Sequence, residues 1–444
     1  MRPQSASWIR QMQHAKLQIG CMIVLLYIAF IYFREIKKNK MKHSDSFFDE
    51  MLVLGIVTLF FDGLTAYMVN SPKWIDTTIN LICHAAFLIC LDCTIFMLFM
   101  YMLYTTGVYP KRKSGKALVI TPFLINVIVV VVNLNSLEYR RGVVTNYSMG
   151  VSVYTCFIIG AIYTMLSIAV FIKRWNYMES HKRTSILTYL IVLAVVSGIQ
   201  MAFPETLISS IGVTIFYLGI YLNLEDPSIR RLSTYHSETV MAFATLIENR
   251  DNSTGGHIKR TSQYVELIAK ALRKKKKFSS ILTSDYIANL KKAAPMHDIG
   301  KVAVPDAILQ KPGKLTPEEF EVMKTHSAKG GEIIEETFKT LGDEEFMKMA
   351  YEVARHHHEK WNGKGYPDGL KEKEIPLCAR IMAVADVFDA VSEHRCYRPA
   401  MPLDKCFEII SEGRGQDFDP EVADVFLSMR KEVEAVHAEL NKKN

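Results

Sequence analysis

Apolar positions in this chain follow two regimes. Up to about residue 224 they form long runs, at roughly 17–33, 52–69, 79–104, 117–134, 150–172, 184–203 and 207–224. Each run reaches or approaches the ~20 residues that a helix needs to cross a ~30 Å hydrocarbon layer. Seven spans are expected, the last two separated only by Phe203-Pro204-Glu205-Thr206. The first run exceeds a signal-peptide core and has no small-residue cleavage site after it, so it reads as a retained span. Beyond Glu225 the pattern turns amphipathic. A polar Asp226-Pro227-Ser228 leads into a helical pattern from about 232 to 250, without a Gly/Ser or Pro-rich linker. Thr316-Pro317-Glu318-Glu319 is a helix start, with Thr at the N-cap, Pro at N1 and Glu completing a capping box. Phe320, Met323 and His326 follow at three-residue steps, and Pro376 opens a helix running to about Ser392. No useful alternating strand pattern appears. The expected fold class is all-α: a bundle of about seven transmembrane helices over 1–224, a junction helix over 225–239, and an all-helical domain over 240–435.

Charge sharpens this division. Residues 1–224 carry 19 Lys and Arg against 10 Asp and Glu, whereas the remainder carries 34 against 36. The net +7 of the 444-residue chain therefore belongs largely to the apolar half. Its cations cluster in alternate loops: Arg34, Lys37, Lys38, Lys40 and Lys42; then Lys111, Arg112, Lys113 and Lys116; then Lys173, Arg174, Lys182 and Arg183. Lys and Arg mark the cytoplasmic side of a span. The expected topology is a multi-pass protein of the cytoplasmic (inner) membrane, with the N-terminus outside and residues 225–444 in the cytoplasm. Arg2, Arg10 and Lys16 oppose this mildly. A basic surface for a nucleic acid polymer is not expected, because the positive balance is explained by topology.

Inside the spans, Asp62, His84 and Asp92 are costly to bury unless paired. Interhelical hydrogen bonding is the preferred explanation, ahead of an intramembrane ligand, proton or metal sensor. Cys90 and Cys93 read as packing residues, since nothing around them suggests redox chemistry. The run Arg273 to Lys277 reads as a solvated helix end.

The chemistry concentrates in the second half. His257, His297-Asp298, His326, His356-His357-His358 and Asp386 fall on successive helical segments. Such ligands projecting inward from facing helices build dinuclear sites. Imidazole with carboxylate suits Fe, Mn, Zn or Ni. His297 and Asp298 stand about 100° apart on a regular helix. They can serve two metals or sit where the helix frays, and Pro295 favours distortion there. An Asp shared by two metals would help make a water nucleophilic at neutral pH.

The run His297-Asp298-Ile299-Gly300-Lys301, then Lys311-Pro312-Gly313 and His326, resembles the HD superfamily of metal phosphohydrolases. His357-His358-Glu359-Lys360-Trp361-Asn362-Gly363-Lys364-Gly365-Tyr366-Pro367 resembles its HD-GYP branch. So do Ala379-Arg380-Ile381, Ala385-Asp386-Val387-Phe388-Asp389-Ala390, Arg395-Cys396-Tyr397-Arg398 and Asp417-Phe418-Asp419-Pro420. The resemblance covers about 240–430 and leaves the apolar half untouched. It implies metal ligands at His257, His297, Asp298, His326, His357, His358 and Asp386, and two divalent transition metals, Fe or Mn first, with Zn or Ni as alternatives. It places Lys301 and Asp298 at the reaction centre and Arg395 and Arg398 on substrate phosphates, a task suited to guanidinium forks. Gly365, Tyr366 and Pro367 would shape the pocket, although two glycines there also describe an ordinary surface turn. Ser253 stands where some members hold a third-metal Glu, so a dinuclear site is expected. His356 is left outside the ligand set, and a loop insertion is expected near 338–346.

The resemblance implies a membrane-bound phosphodiesterase hydrolysing cyclic di-GMP to pGpG and, by further cleavage, GMP. Alternatives are another cyclic dinucleotide or a nucleotide phosphate as substrate, or a catalytically silent cyclic di-GMP receptor. A seven-span transporter is disfavoured because no inverted-repeat or broken-helix symmetry appears. The other expected partners are the lipid bilayer and an extracytoplasmic or intramembrane ligand, with a homodimer left open. The short junction suits transmission of helix movement to the metal-binding half.

Overall fold

The apolar runs fold as helices of unequal length. The computed structural model describes residues 15–39, 47–71, 76–110, 112–143, 145–225, 227–250, 256–338, 344–393 and 400–441. Among the described residues, six helices are long and apolar enough to cross a membrane. They are α1 (Lys16–Asn39), α2 (Phe48–Val69), α3 (Thr77–Thr105), α4 (Lys113–Val132), α5 (Val151–Arg174) and α6 (Ser180–Ala202). The seventh expected run is not among these six. Leu207 takes a left-handed φ of 47°, so α7 (Ser209–Ile220) starts late and gives way to π-helix at Tyr221–Glu225. Its 12 residues rise about 18 Å before the π-helix carries the helical run on to Glu225.

Asp62 and Asp92 are joined to neighbouring helices. The Ser210 hydroxyl donates to Asp62, and Asn126 Nδ2 donates to Asp92 at 2.5 Å. The thiol of Cys156 also donates to Asp92, at 3.3 Å. Such pairs fasten neighbouring helices where lipid supplies no hydrophobic drive. His84, expected to bond between helices, instead bonds within α3, its Nδ1 donating to the Asn80 carbonyl at 2.9 Å. Cys90 and Cys93 are free thiols. Between α4 and α5, β1 (Glu138–Arg140) and β2 (Tyr147–Met149) form a short antiparallel hairpin, with Tyr139 opposite Ser148.

Chain contacts define two units, Met1–Arg231 and Leu232–Asn444. The division falls inside α8 (Pro227–Arg250), a continuous helix. The second unit is helical among the described residues. It continues with α9 (His257–Leu272), α10 (Ser284–Ala293), α11 (Asp306–Leu309), α12 (Pro317–Phe338), α13 (Glu344–His356), α14 (Leu377–Ser392), α15 (Leu403–Glu412), α16 (Pro420–Ser428) and α17 (Arg430–Asn441).

Helix α14 runs through the middle of this unit, with Cys378, Ile381, Met382, Val384, Ala385 and Phe388 inaccessible to solvent. Its apolar residues pack on Tyr264, Val265 and Ile268 of α9 and on Phe407 and Phe426. Each fully buried large side chain contributes about 1.5–3 kcal/mol of transfer free energy. The expected capping box starts α12: Glu319 N donates to Thr316 Oγ1 at 3.3 Å, and Thr316 N donates to Glu319 Oε2 at 2.7 Å. Of the loop insertion expected near 338–346, residues 339–343 lie outside the described set.

Candidate metal centre

Local departures from helical geometry present the donors. After α10 the chain tightens into 3₁₀ turns at Ala294–Met296 and Ile299–Ala303, with His297 and Asp298 between them. The expected distortion near Pro295 is therefore present. Gly300 lets the second turn press against α12, since a Cβ there would lie 1.9 Å from the His326 carbonyl oxygen and 2.4 Å from Gly330 N. This close approach carries Asp298 toward His326. The N-cap of α9, Gly256, takes a φ of 97°, and the following His257 N donates to Glu248 Oε1 at 2.9 Å.

Four imidazoles share one logic. Nδ1–H of His297, His326 and His357 donates to the backbone carbonyls of Ala294, Met323 and Val353, at 2.9, 2.7 and 3.0 Å. Nδ1–H of His257 donates to Asp389 Oδ2 at 2.8 Å. Those bonds fix the tautomer and leave each Nε2 lone pair for a metal. The Nε2 atoms of His257 and His297 face one another at 3.2 Å. Two nitrogens bound at 2.0–2.1 Å to one cation stand about 3 Å apart. His357 Nε2 is buried and has no hydrogen-bond partner, an orphan lone pair of the kind a cation satisfies.

These atoms fall into two overlapping groups, His257/His297/Asp298 and Asp298/His326/His357/His358. Asp298 belongs to both. Its Oδ2 lies 3.3 Å from His297 Nε2, while its Oδ1 lies 3.4 Å from His326 Nε2 and 3.8 Å from His357 Nε2. Asp386 Oδ1 completes the first group, 3.5 Å from His257 Nε2 and 3.9 Å from His297 Nε2. All seven expected ligands thus converge, and the donor set fits a pair of divalent transition cations.

The electrostatics fit the same use. Burial disfavours charge on Asp298, yet Lys301 and His297 hold its carboxyl well below the usual range. Burial also opposes charge on His297, but Asp298 and Asp386 outweigh it and lift the imidazole to about 9. Burial, reinforced by neighbouring imidazoles, pushes His357 down to about 3 and His358 well below its ordinary value. The centre therefore offers neutral imidazoles at His357 and His358 beside an anionic Asp298, whereas His297 would release its proton on binding a cation. Lys301 Nζ lies 2.8 Å from Asp298 Oδ2.

Of the residues expected at a substrate pocket, Tyr366 packs its ring 4.8 Å from that of His358, beside the second group. Gly365 permits the chain to fold back, since a Cβ there would lie 2.3 Å from Lys360 N. The Tyr366–Pro367 peptide is cis. Arg395 and Arg398 lie outside the described residues. His356 stands apart from the donors: it is buried, and its Nε2 lies 3.0 Å from Asp368 Oδ2.

Sequence reasoning assigned no role to Asp389, Arg260 or Glu359. Asp389 Oδ1 accepts from Arg260 Nε at 2.7 Å and its Oδ2 from Nη2 at 3.0 Å, in addition to the His257 bond. Glu359 Oε1 accepts from Asp368 N and Gly369 N, at 2.7 and 3.0 Å, and cinches the loop carrying Tyr366. The available signal was helical spacing: Asp389 follows Asp386 by three residues, as Arg260 follows His257.

Residues 242–422 match the family model described as HD domain. The chain is 41% identical over 246 residues to a cyclic di-GMP phosphodiesterase of Vibrio cholerae, covering 55% of this chain and 50% of the relative. It is 46% identical over 208 residues to a probable cyclic di-GMP phosphodiesterase of the same organism, covering 46% and 47%. It is also 34% identical over 236 residues to that organism's 3'3'-cGAMP-specific phosphodiesterase 2, covering 53% and 41%. The chain thus spans about half the length of the curated relatives it matches.

Proposed function

We propose that the second unit is the catalytic part of a membrane-bound, metal-dependent phosphodiesterase that opens a cyclic dinucleotide. The carrying observation is the Asp298 carboxylate shared by two groups of histidine donors. Its metals are Fe or Mn first, with Zn or Ni as alternatives. Two such cations supply Lewis acidity that activates water and offsets phosphodiester charge. Asp298 and Asp386 provide the anionic charge that retains them, and His257, His297, His326, His357 and His358 complete the ligand set. Lys301, beside Asp298, stabilises charge developing on the phosphoryl group. Arg395 and Arg398 grip the substrate's phosphates, and the Gly365-Tyr366-Pro367 loop shapes the pocket next to His358.

Cyclic di-GMP is the favoured substrate, opened to pGpG with further cleavage to GMP. The match to a relative named for 3'3'-cGAMP supports that dinucleotide as a second substrate. The apolar unit anchors the enzyme in the cytoplasmic membrane, with its N-terminus outside and the metal-binding unit in the cytoplasm, a topology in which the helical run from Ser209 through the π-helix to Glu225 makes the seventh crossing. The test is turnover by the full chain in lipid nanodiscs, loaded anaerobically with Fe or Mn and supplied separately with cyclic di-GMP and 3'3'-cGAMP. Linear products are expected, and are expected to vanish in His297→Ala and Asp298→Ala. Tight binding without hydrolysis under every metal would replace the enzyme by a receptor.

A further inference from the structure

The apolar unit holds a cavity of about 490 Å³ walled by α3, α5, α6 and α7, with Tyr147 and Met149 of β2 also in its lining. That volume lies within the range of small-molecule sites. Its walls are mainly apolar, but Asp62 reaches it from α2. Asp62 is 3% exposed, and the Ser210 hydroxyl donates to it. The carboxyl is therefore fixed in place in a mainly apolar site that also presents Thr94, Thr164, Ser197 and Gln200.

The lining residues also locate the mouth. Ala161 and Met165 of α5 and Ala194 and Met201 of α6 line the cavity and remain exposed. Met165 and Met201 are 71% and 69% exposed. They sit on two helices of membrane-spanning length, so the gap between α5 and α6 faces the surrounding hydrocarbon. Gly198 belongs to the lining, and a Cβ built there would meet nothing within 4 Å, so a larger side chain can be introduced there without a backbone clash.

We propose that this cavity binds a long-chain amphiphile that enters laterally from the bilayer, with a hydrogen-bond-donating head group directed at Asp62. A chain tail fills the apolar walls, while a hydroxyl head adds a further donor to the carboxyl that Ser210 already holds in place. The proposal rests on the first unit alone and stands apart from the chemistry of the second.

The test uses the full chain in phosphatidylcholine nanodiscs and a photoreactive hexadecanol, with crosslinks mapped by mass spectrometry. Labelling of lining positions on α3, α5 and α6 is expected, and unlabelled hexadecanol should compete it away. Gly198→Trp fills the space and should weaken apparent binding by at least about tenfold. Asp62→Ala should weaken the alcohol by about tenfold but leave a photoreactive hexadecane unaffected. Ile128→Trp on α4, exposed and outside the lining, should change neither. Thermal unfolding of each variant separates lost binding from lost folding, and Gly198→Trp carries the test if Asp62→Ala misfolds. Labelling that excess alcohol cannot compete, or that persists in folded Gly198→Trp, would reduce the cavity to ordinary lipid contact and overturn the site.

Discussion

Replacing Asp389 by Asn separates the support of the metal centre from its ligands. Asp389 is 1% exposed, accepts two bonds from Arg260 and one from His257 Nδ1, and touches no other donor of the centre. The substitution preserves shape and removes a charge, leaving Glu393 Oε1, 3.7 Å from Arg260 Nε, as the carboxylate paired with the 3% exposed guanidinium. Breaking a buried ion pair costs about 3–5 kcal/mol, and the remaining carboxylate places this case near the lower end, about 3 kcal/mol. A separate consequence follows at His257. An Asn amide turned toward Arg260 by its oxygen presents NH₂ to Nδ1, favouring the tautomer that protonates Nε2. Loss of such an outer hydrogen bond lowers metal affinity by about 10–100-fold. The assay is competitive metal titration alongside chemical unfolding of the chelator-treated protein, in Asp389→Asn, Arg260→Met and the double variant. The double variant should recover much of the stability yet keep the weakened affinity, because His257 still lacks its acceptor. If affinity returns to wild type with stability, Asp389 acts only through folding and the tautomer argument is refuted.

Two further predictions use the same geometry. His297 is lifted from 6.5 to about 9, so its charge stabilises the metal-stripped unit fully below about pH 6.5 and progressively less up to about pH 9. Unfolding of the chelator-treated protein should show that decline, and His297→Gln should flatten it. Gly300→Ala forces a methyl onto the His326 carbonyl oxygen. Displacing backbone in this way should cost about 1–3 kcal/mol and weaken the second donor group more than the first, which is readable by denaturant unfolding and metal titration.

The helical character of both units was legible because membrane spans and amphipathic helices impose simple periodicities. The run after Thr206 was harder to read. Hydropathy registers its apolar content but not the left-handed Leu207 or the π-helical end that shortens α7. The ligands were legible because His and Asp recur in ordered motifs, and the break at Pro295 resolved how neighbouring His297 and Asp298 serve one centre. Their outer partners were hidden. Arg260 and Asp389 are 129 residues apart and look like ordinary helix charges until α9 lies against α14. The intramembrane cavity was equally hidden, since it depends on which faces of four helices fail to meet.

The central claim is a two-cation centre joined by Asp298. Metal content per chain, measured by mass spectrometry after equilibration with Mn and desalting, tests it most directly when paired with electron paramagnetic resonance. The account predicts two Mn per chain with an exchange-coupled signal, and loss of the coupling with at least one ion in folded Asp298→Ala. One Mn per wild-type chain, or two uncoupled Mn that persist in Asp298→Ala, would contradict it.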